Sequence, residues 1–120
     1  MNDRIAQPVR LPKAPPDVAA DPVLRRARQR LEEIYGPNLA GVILYGSRAR
    51  GDHRPDSDYD ILVLIEHWER GQSGPLHDLA LELFSFGPPE VNVNFLPRDA
   101  RALERRTIFM HNVREEGVQL

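Results

Sequence analysis

Apolar residues return along this chain in two rhythms. After Asp21-Pro22, Val23, Leu24, Ala27, Leu31 and Ile34 recur at helical spacing, and Gly36-Pro37 ends the run. Asp21 suits the N-cap and Pro22 the first helical position, where its missing N–H costs nothing. Residues 39–45 and 57–66 are dense apolar runs that predict two strands, with a loop rich in Gly, Arg and Asp between them. A second helix is predicted over 75–84, where Leu76, Leu79, Ala80 and Leu83 share a side before the breaker Gly87-Pro88-Pro89. Over 90–96, Val91, Val93 and Phe95 alternate with Asn92 and Asn94, the pattern of a half-buried strand. From Pro97 onward the spacing predicts a helix, with Leu103, Thr107 and Met110 on one side and Arg98, Arg101 and Arg105 on another. Gly117 closes it, and Val118-Gln119-Leu120 reads as a short final strand. The order helix, strand, strand, helix, strand, helix implies an α/β (α+β) domain, a small mixed sheet flanked by helices.

Length and composition narrow this picture. At 120 residues the chain suits a single domain. Pro8, Pro12, Pro15 and Pro16, with few large apolar neighbours, mark 1–21 as a flexible tail ahead of a domain at 22–120. Sixteen Lys+Arg against 18 Asp+Glu leave a net charge of −2, so no global field directs the chain to nucleic acid or an acidic membrane. With no cysteine, disulfides, thiolate metal sites and cysteine nucleophiles are excluded. The first residues lack the apolar core of a signal peptide and no window is long enough for a membrane span, so a cytoplasmic protein is expected. Every basic residue except Lys13 is an arginine, which suits phosphate contact as well as a coding bias.

The chemistry concentrates at residues 46–65. Asp58 and Asp60 share one face at the mouth of the apolar run 61–65, with Tyr59 and Ile61 on the other. Two carboxylates so placed repel each other, and a hard cation such as Mg²⁺, which prefers oxygen ligands and keeps positions open for phosphates, relieves the conflict. Gly46-Ser47 ends the preceding strand, where glycine admits a close ligand and the N–H groups and hydroxyl can meet phosphate oxygens; Arg48 and Arg50 can meet the same anion. Together these features describe a nucleoside triphosphate site. A turn-forming role for the aspartates is the plain structural alternative.

The stretch GSRARGDHRPDSDYD carries the G-S-x10-D-x-D pattern and resembles the polymerase-β-like nucleotidyltransferases. SRARG with DSDYDILV, and the ending NVREEGVQL, resemble their minimal branch, over about 23–120. The resemblance implies that family's fold and Mg²⁺-dependent transfer of a nucleotidyl group from an NTP, with ATP the favoured donor. It assigns Gly46 and Ser47 to the β- and γ-phosphates, Asp58 and Asp60 to metal and catalysis, and Arg48 to charge neutralisation. It also implies an antitoxin role beside an all-helical HEPN toxin, some relatives adenylylating that toxin on tyrosine. Homo- and hetero-oligomers are both open. The family's third carboxylate is expected near Asn92, with Asn94 and Glu90 as alternatives, yet both asparagines are amides and cannot act as a base. A member that neutralises its toxin by binding alone is therefore the second reading.

Overall fold

A computed structural model describes residues 10–69 and 71–120. In chain order the elements are α1 (Pro16–Ala19), α2 (Pro22–Tyr35), β1 (Leu39–Tyr45), α3 (Ser47–Arg50), β2 (Tyr59–Ile65), α4 (Gly74–Phe84), β3 (Val93–Asp99), α5 (Ile108–Glu116) and β4 (Val118–Gln119). The strands form one mixed sheet in the order β3-β2-β1-β4, β2 and β3 parallel and the other two pairings antiparallel.

β2 lies at the centre and is covered on both faces. Tyr59, Ile61, Val63 and Ile65 belong to the larger core with Leu24, Ala27 and Leu31 of α2 and Leu76, Leu79 and Leu83 of α4. Leu62 and Leu64 turn the other way, onto Leu11, Leu103, Met110 and Val113. This explains a strand that is apolar at every position after Asp60 rather than alternating. The start of α2 is as expected: Asp21 Oδ1 accepts from the N–H of Val23 at 2.9 Å and of Leu24 at 3.4 Å, with Pro22 in the first turn. Arg26 and Arg30 on this helix reach Glu82 of α4, at 2.9 and 3.3 Å, so part of the arginine face joins two helices rather than meeting only solvent.

Three expectations are corrected. The flexible tail over 1–21 does not hold for its second half, Met1–Val9 lying outside the described residues. Leu11 is buried in the second core, Ala14 donates to the Gln119 carbonyl and Gln119 to that of Pro12, both at 2.8 Å, and α1 follows. A single leucine inserted beside β4 outweighs the low apolar content of the segment. The strand expected over 90–96 begins later and continues through Pro97 to Asp99, where a helix was expected. β3 is an edge strand paired on one side only, and there a proline forfeits no required ladder bond. The helix proper starts only at Ile108, after a 3₁₀ turn at Ala102–Glu104, with Thr107 as its N-cap. Among the described residues no helix is long and apolar enough to cross a membrane.

Candidate active site

The register of the sheet assembles the site. Tyr45 at the end of β1 lies opposite Asp60 on β2, and Asp60 lies opposite Asn94 on β3. Asp58 stands just before β2, exposed, and Asp60 is half-buried as its second residue. The strand thus starts at Tyr59 rather than at Ser57, which leaves Asp58 better hydrated than a place inside the sheet would. From β3 the amide of Asn94 donates to Asp60 Oδ1 at 3.1 Å and to Asp58 Oδ2 at 3.3 Å. The side chain facing both acids is therefore Asn94, not Asn92. Asn92 uses its carbonyl to accept from the N–H of Tyr59 at 2.9 Å, and its side chain is exposed, as is that of Glu90.

The glycine-serine turn closes on the same carboxylates. Gly46 has φ +80° and ψ −160°, and a Cβ added there would sit 2.5 Å from Asp60 Oδ2. Glycine is demanded twice, by backbone conformation and by the close approach of the acid. Ser47 opens the short helix α3, and Gly51, at φ +86°, ends it. The motif loop thus contains a helical turn that its Gly- and Arg-rich composition did not announce.

Arg48, assigned by the resemblance to the phosphates, is fully engaged with the protein itself. Its guanidinium is buried and donates to the carbonyls of Ser57 (3.0 Å from Nε, 2.8 Å from Nη2), Pro55 (2.9 Å) and Arg54 (3.4 Å). Its carbon Cζ lies 3.9 Å above the centre of the Tyr59 ring. Five donors in a planar fork suit three converging carbonyls and an aromatic face. Arg48 ties α3 to the loop that delivers Asp58. Tyr59, between the two acids in sequence, points into the core and donates to Asp21 Oδ2 at 2.7 Å. Burial, then the Asp21 bond and charge, push its phenol far above the usual range. Asp21 thus caps α2 with one oxygen and anchors the strand carrying the acids with the other. Arg50 is engaged as well, with Asp52 and with Glu116 at 3.1 Å each.

A family model described as a nucleotidyltransferase domain matches residues 24–112. The chain belongs to that family. A candidate protein adenylyltransferase of Methanocaldococcus jannaschii is 36% identical over 44 residues, which is 37% of this chain and 44% of that relative. Less than half of that protein's length is therefore spanned. A solved toxin–antitoxin complex with AMP-PNP superposes with a TM-score of 0.55 at 23% identity, covering 79% of this chain and 69% of that one. A mutant form of the MntA–HpeT toxin–antitoxin pair gives 0.54 at 26% identity, covering 80% and 70%. The mixed sheet and its helices are those of the nucleotidyltransferase fold.

The donor set of this nucleotidyltransferase domain can be tested against a divalent cation. Asp58 and Asp60 present carboxylate oxygens on one face, which fits one hard cation between them. Asn94 supplies N–H donors to both, easing the repulsion that a cation would ease more strongly. Turned over, the amide would offer its oxygen, but no charge. Among the described residues no group of three acids, histidines or cysteines converges. The set fits one cation better than two.

Two side chains on this face of the sheet were not foreseen. Arg98, placed by its spacing on a helix stripe, is on β3 instead, four pairs beyond Asn94 and on the same face. Tyr45 packs edge-on to Phe109 of α5 at 5.5 Å between ring centres. Burial, then the charge of Asp60, pushes its phenol up, with Arg98 opposing. Only the register of β3 with β2 could have revealed Arg98. Trp68, after β2, is packed against the larger core.

Proposed function

We propose that this domain transfers a nucleotidyl group, AMP from ATP, to a hydroxyl of a partner protein in the cytoplasm, the partner being a HEPN-type toxin. The observation that carries the reading is the contact of Asp60 with the glycine of the Gly46-Ser47 turn, with Asp58 two residues away on the same face. Supporting it are the family, the adenylyltransferase relative and the toxin–antitoxin neighbour. The domain is taken to occupy 22–120, with the segment from Leu11 serving as its brace.

In this reading Asp58 and Asp60 hold Mg²⁺, which when bound supplies positive charge to the triphosphate and the leaving pyrophosphate. Gly46 and Ser47 place the β- and γ-phosphates against the acids, and Arg48 sets the distance between turn and acids without touching phosphate. An acceptor oxygen bonds to the α-phosphorus as the bridge oxygen to the β-phosphorus departs in line, and the acceptor proton passes to solvent. Asn94 contributes orientation alone, because an amide takes no proton at neutral pH. One specific observation favours the second reading, neutralisation by binding with little or no turnover: the residue facing both acids is uncharged.

The test is incubation of the purified protein with radiolabelled ATP, Mg²⁺ and the product of its neighbouring gene. Label on that protein, lost with Asp58→Asn and with Asp60→Asn, supports transfer. A stable complex without label, indifferent to both substitutions, establishes the binding reading.

A further inference from the structure

The C-terminal strand determines where one more carboxylate falls. β4 pairs with β1 through Leu44 opposite Val118 and Ile43 opposite Gln119. Continued two residues along the antiparallel register, this pairing brings Glu116, the last residue of α5, opposite Gly46. The approach is tight. A Cβ on Gly117 would lie 2.6 Å from the Val113 carbonyl and 3.0 Å from both Ile43 and Leu11, so the end of α5 is seated directly on the sheet.

The Glu116 side chain, 21% exposed, then uses both oxygens. Oε1 accepts the backbone N–H of Gly46 at 2.9 Å, and Oε2 accepts from the Arg50 guanidinium at 3.1 Å. Gly46 precedes α3 and Arg50 is its last residue. A single carboxylate therefore grips both ends of the turn that carries Ser47. The Gly46 end is the costlier to release, since its φ of +80° is set beside the Asp60 carboxylate and the N–H would otherwise lack this charged partner.

We propose that Glu116 is a positioning residue that holds the Gly46-Ser47 turn in the geometry that receives the triphosphate. This rests on the nucleotide-binding reading above and adds to it a residue outside the motif. Glu116 touches no reacting atom. It acts through the Gly46 amide and leaves the acids where they are. Its effect belongs in nucleotide affinity and KM, with kcat at saturating ATP retained.

The experiment is titration of the full chain with Mg²⁺ and a non-hydrolysable ATP analogue, for the parent, Glu116→Ala, Glu116→Gln and Arg50→Ala. Hydrogen exchange at the Gly46 amide and thermal unfolding are recorded alongside. Loss of a charge-assisted hydrogen bond corresponds to about a tenfold to hundredfold weaker Kd for Glu116→Ala. Glutamine keeps an oxygen for the Gly46 N–H, so Glu116→Gln is expected within about threefold of the parent, a neutral acceptor bond being only modestly weaker. Arg50→Ala breaks the same ion pair as Glu116→Gln and is likewise expected within about threefold of the parent, and exchange at Gly46 is expected to accelerate only in Glu116→Ala. Unchanged affinity in a folded Glu116→Ala overturns the proposal. So does tighter binding, which would make the carboxylate a competitor of phosphate. Should Glu116→Ala not fold, Glu116→Gln decides: a loss of about tenfold or more there, matched by Arg50→Ala, assigns the effect to the ion pair and overturns the Gly46 role, whereas retention supports it. If the parent itself takes up no analogue, the nucleotide reading fails and the proposal with it; parent binding with an indifferent Glu116→Ala removes the proposal alone.

Discussion

Asn94→Asp tests the site most directly, because it adds charge at one known point. The amide now donates two hydrogen bonds, at 3.1 and 3.3 Å, to Asp60 and Asp58. An ionised aspartate removes both and sets a third negative charge beside two others. At about 4 Å a like-charge pair costs about 1 kcal/mol at the dielectric of water and about 4 kcal/mol at that of a protein surface. Asp58 and Asn94 are exposed and Asp60 is half-buried, so the lower part of that range applies. A net loss of about 1–2 kcal/mol follows in the absence of metal, which for a domain of this size is a fall in Tm of about 4–10 °C. Mg²⁺ or Mn²⁺ should reverse it. With three acids in place of two, cation affinity should rise by about tenfold or more, adding about 1.4 kcal/mol for each factor of ten. The assay is thermal unfolding of parent and variant in chelator and across a metal titration, with transfer of label from ATP followed in parallel. If the variant in chelator is as stable as its parent, or if metal shifts both alike, Asn94 does not face the cation site. A rise in transfer rate would show that turnover had been limited by the missing acid.

The other predictions concern the frame around the acids. Gly46→Ala forces a Cβ against Asp60 Oδ2 at a positive φ, and should abolish binding of the ATP analogue while lowering stability by about 1–3 kcal/mol, measured by calorimetry and urea unfolding. Arg48→Lys keeps the charge but cannot reach three carbonyls and stack on Tyr59; about 2–4 kcal/mol of stability should go, with weaker metal binding, and wild-type behaviour would return Arg48 to the phosphates. Tyr59→Phe loses the 2.7 Å bond to Asp21 and should cost about 1–2 kcal/mol at neutral pH. The folded phenol titrates above the unfolded one, so its contribution is complete below about pH 10 and fades as pH rises further; the alkaline loss of stability should be smaller in Tyr59→Phe than in the parent. Leu62→Ala, fully buried on the central strand, should cost about 2–5 kcal/mol in urea unfolding without changing metal affinity per folded molecule.

Local chemistry was legible wherever neighbours in the chain decide it. The start of α2 follows from Asp21-Pro22, the apolar runs of β1 and β2 announce a sheet, and the spacing of Gly46, Ser47, Asp58 and Asp60 identifies the nucleotidyltransferase family before any coordinate. Those signals depend on capping, periodicity and turn stereochemistry, which act over a few residues. Other features depend on register and packing between distant segments, which no short window contains. The parallel pairing of β3 with β2 selected Asn94 over Asn92 and moved Arg98 from a helix to the sheet. The seat of Leu11 beside β4 ordered half of an apparently flexible tail. Three carbonyls brought together by the 54–57 bend turned Arg48 inward, and the pairing of β4 with β1 delivered Glu116 to Gly46, seventy residues away in the chain. The residue types of the candidate site were therefore set by the sequence alone, while tertiary contacts decided which side chains hold them in place, because a long-range partner is chosen by the shape of the assembled core.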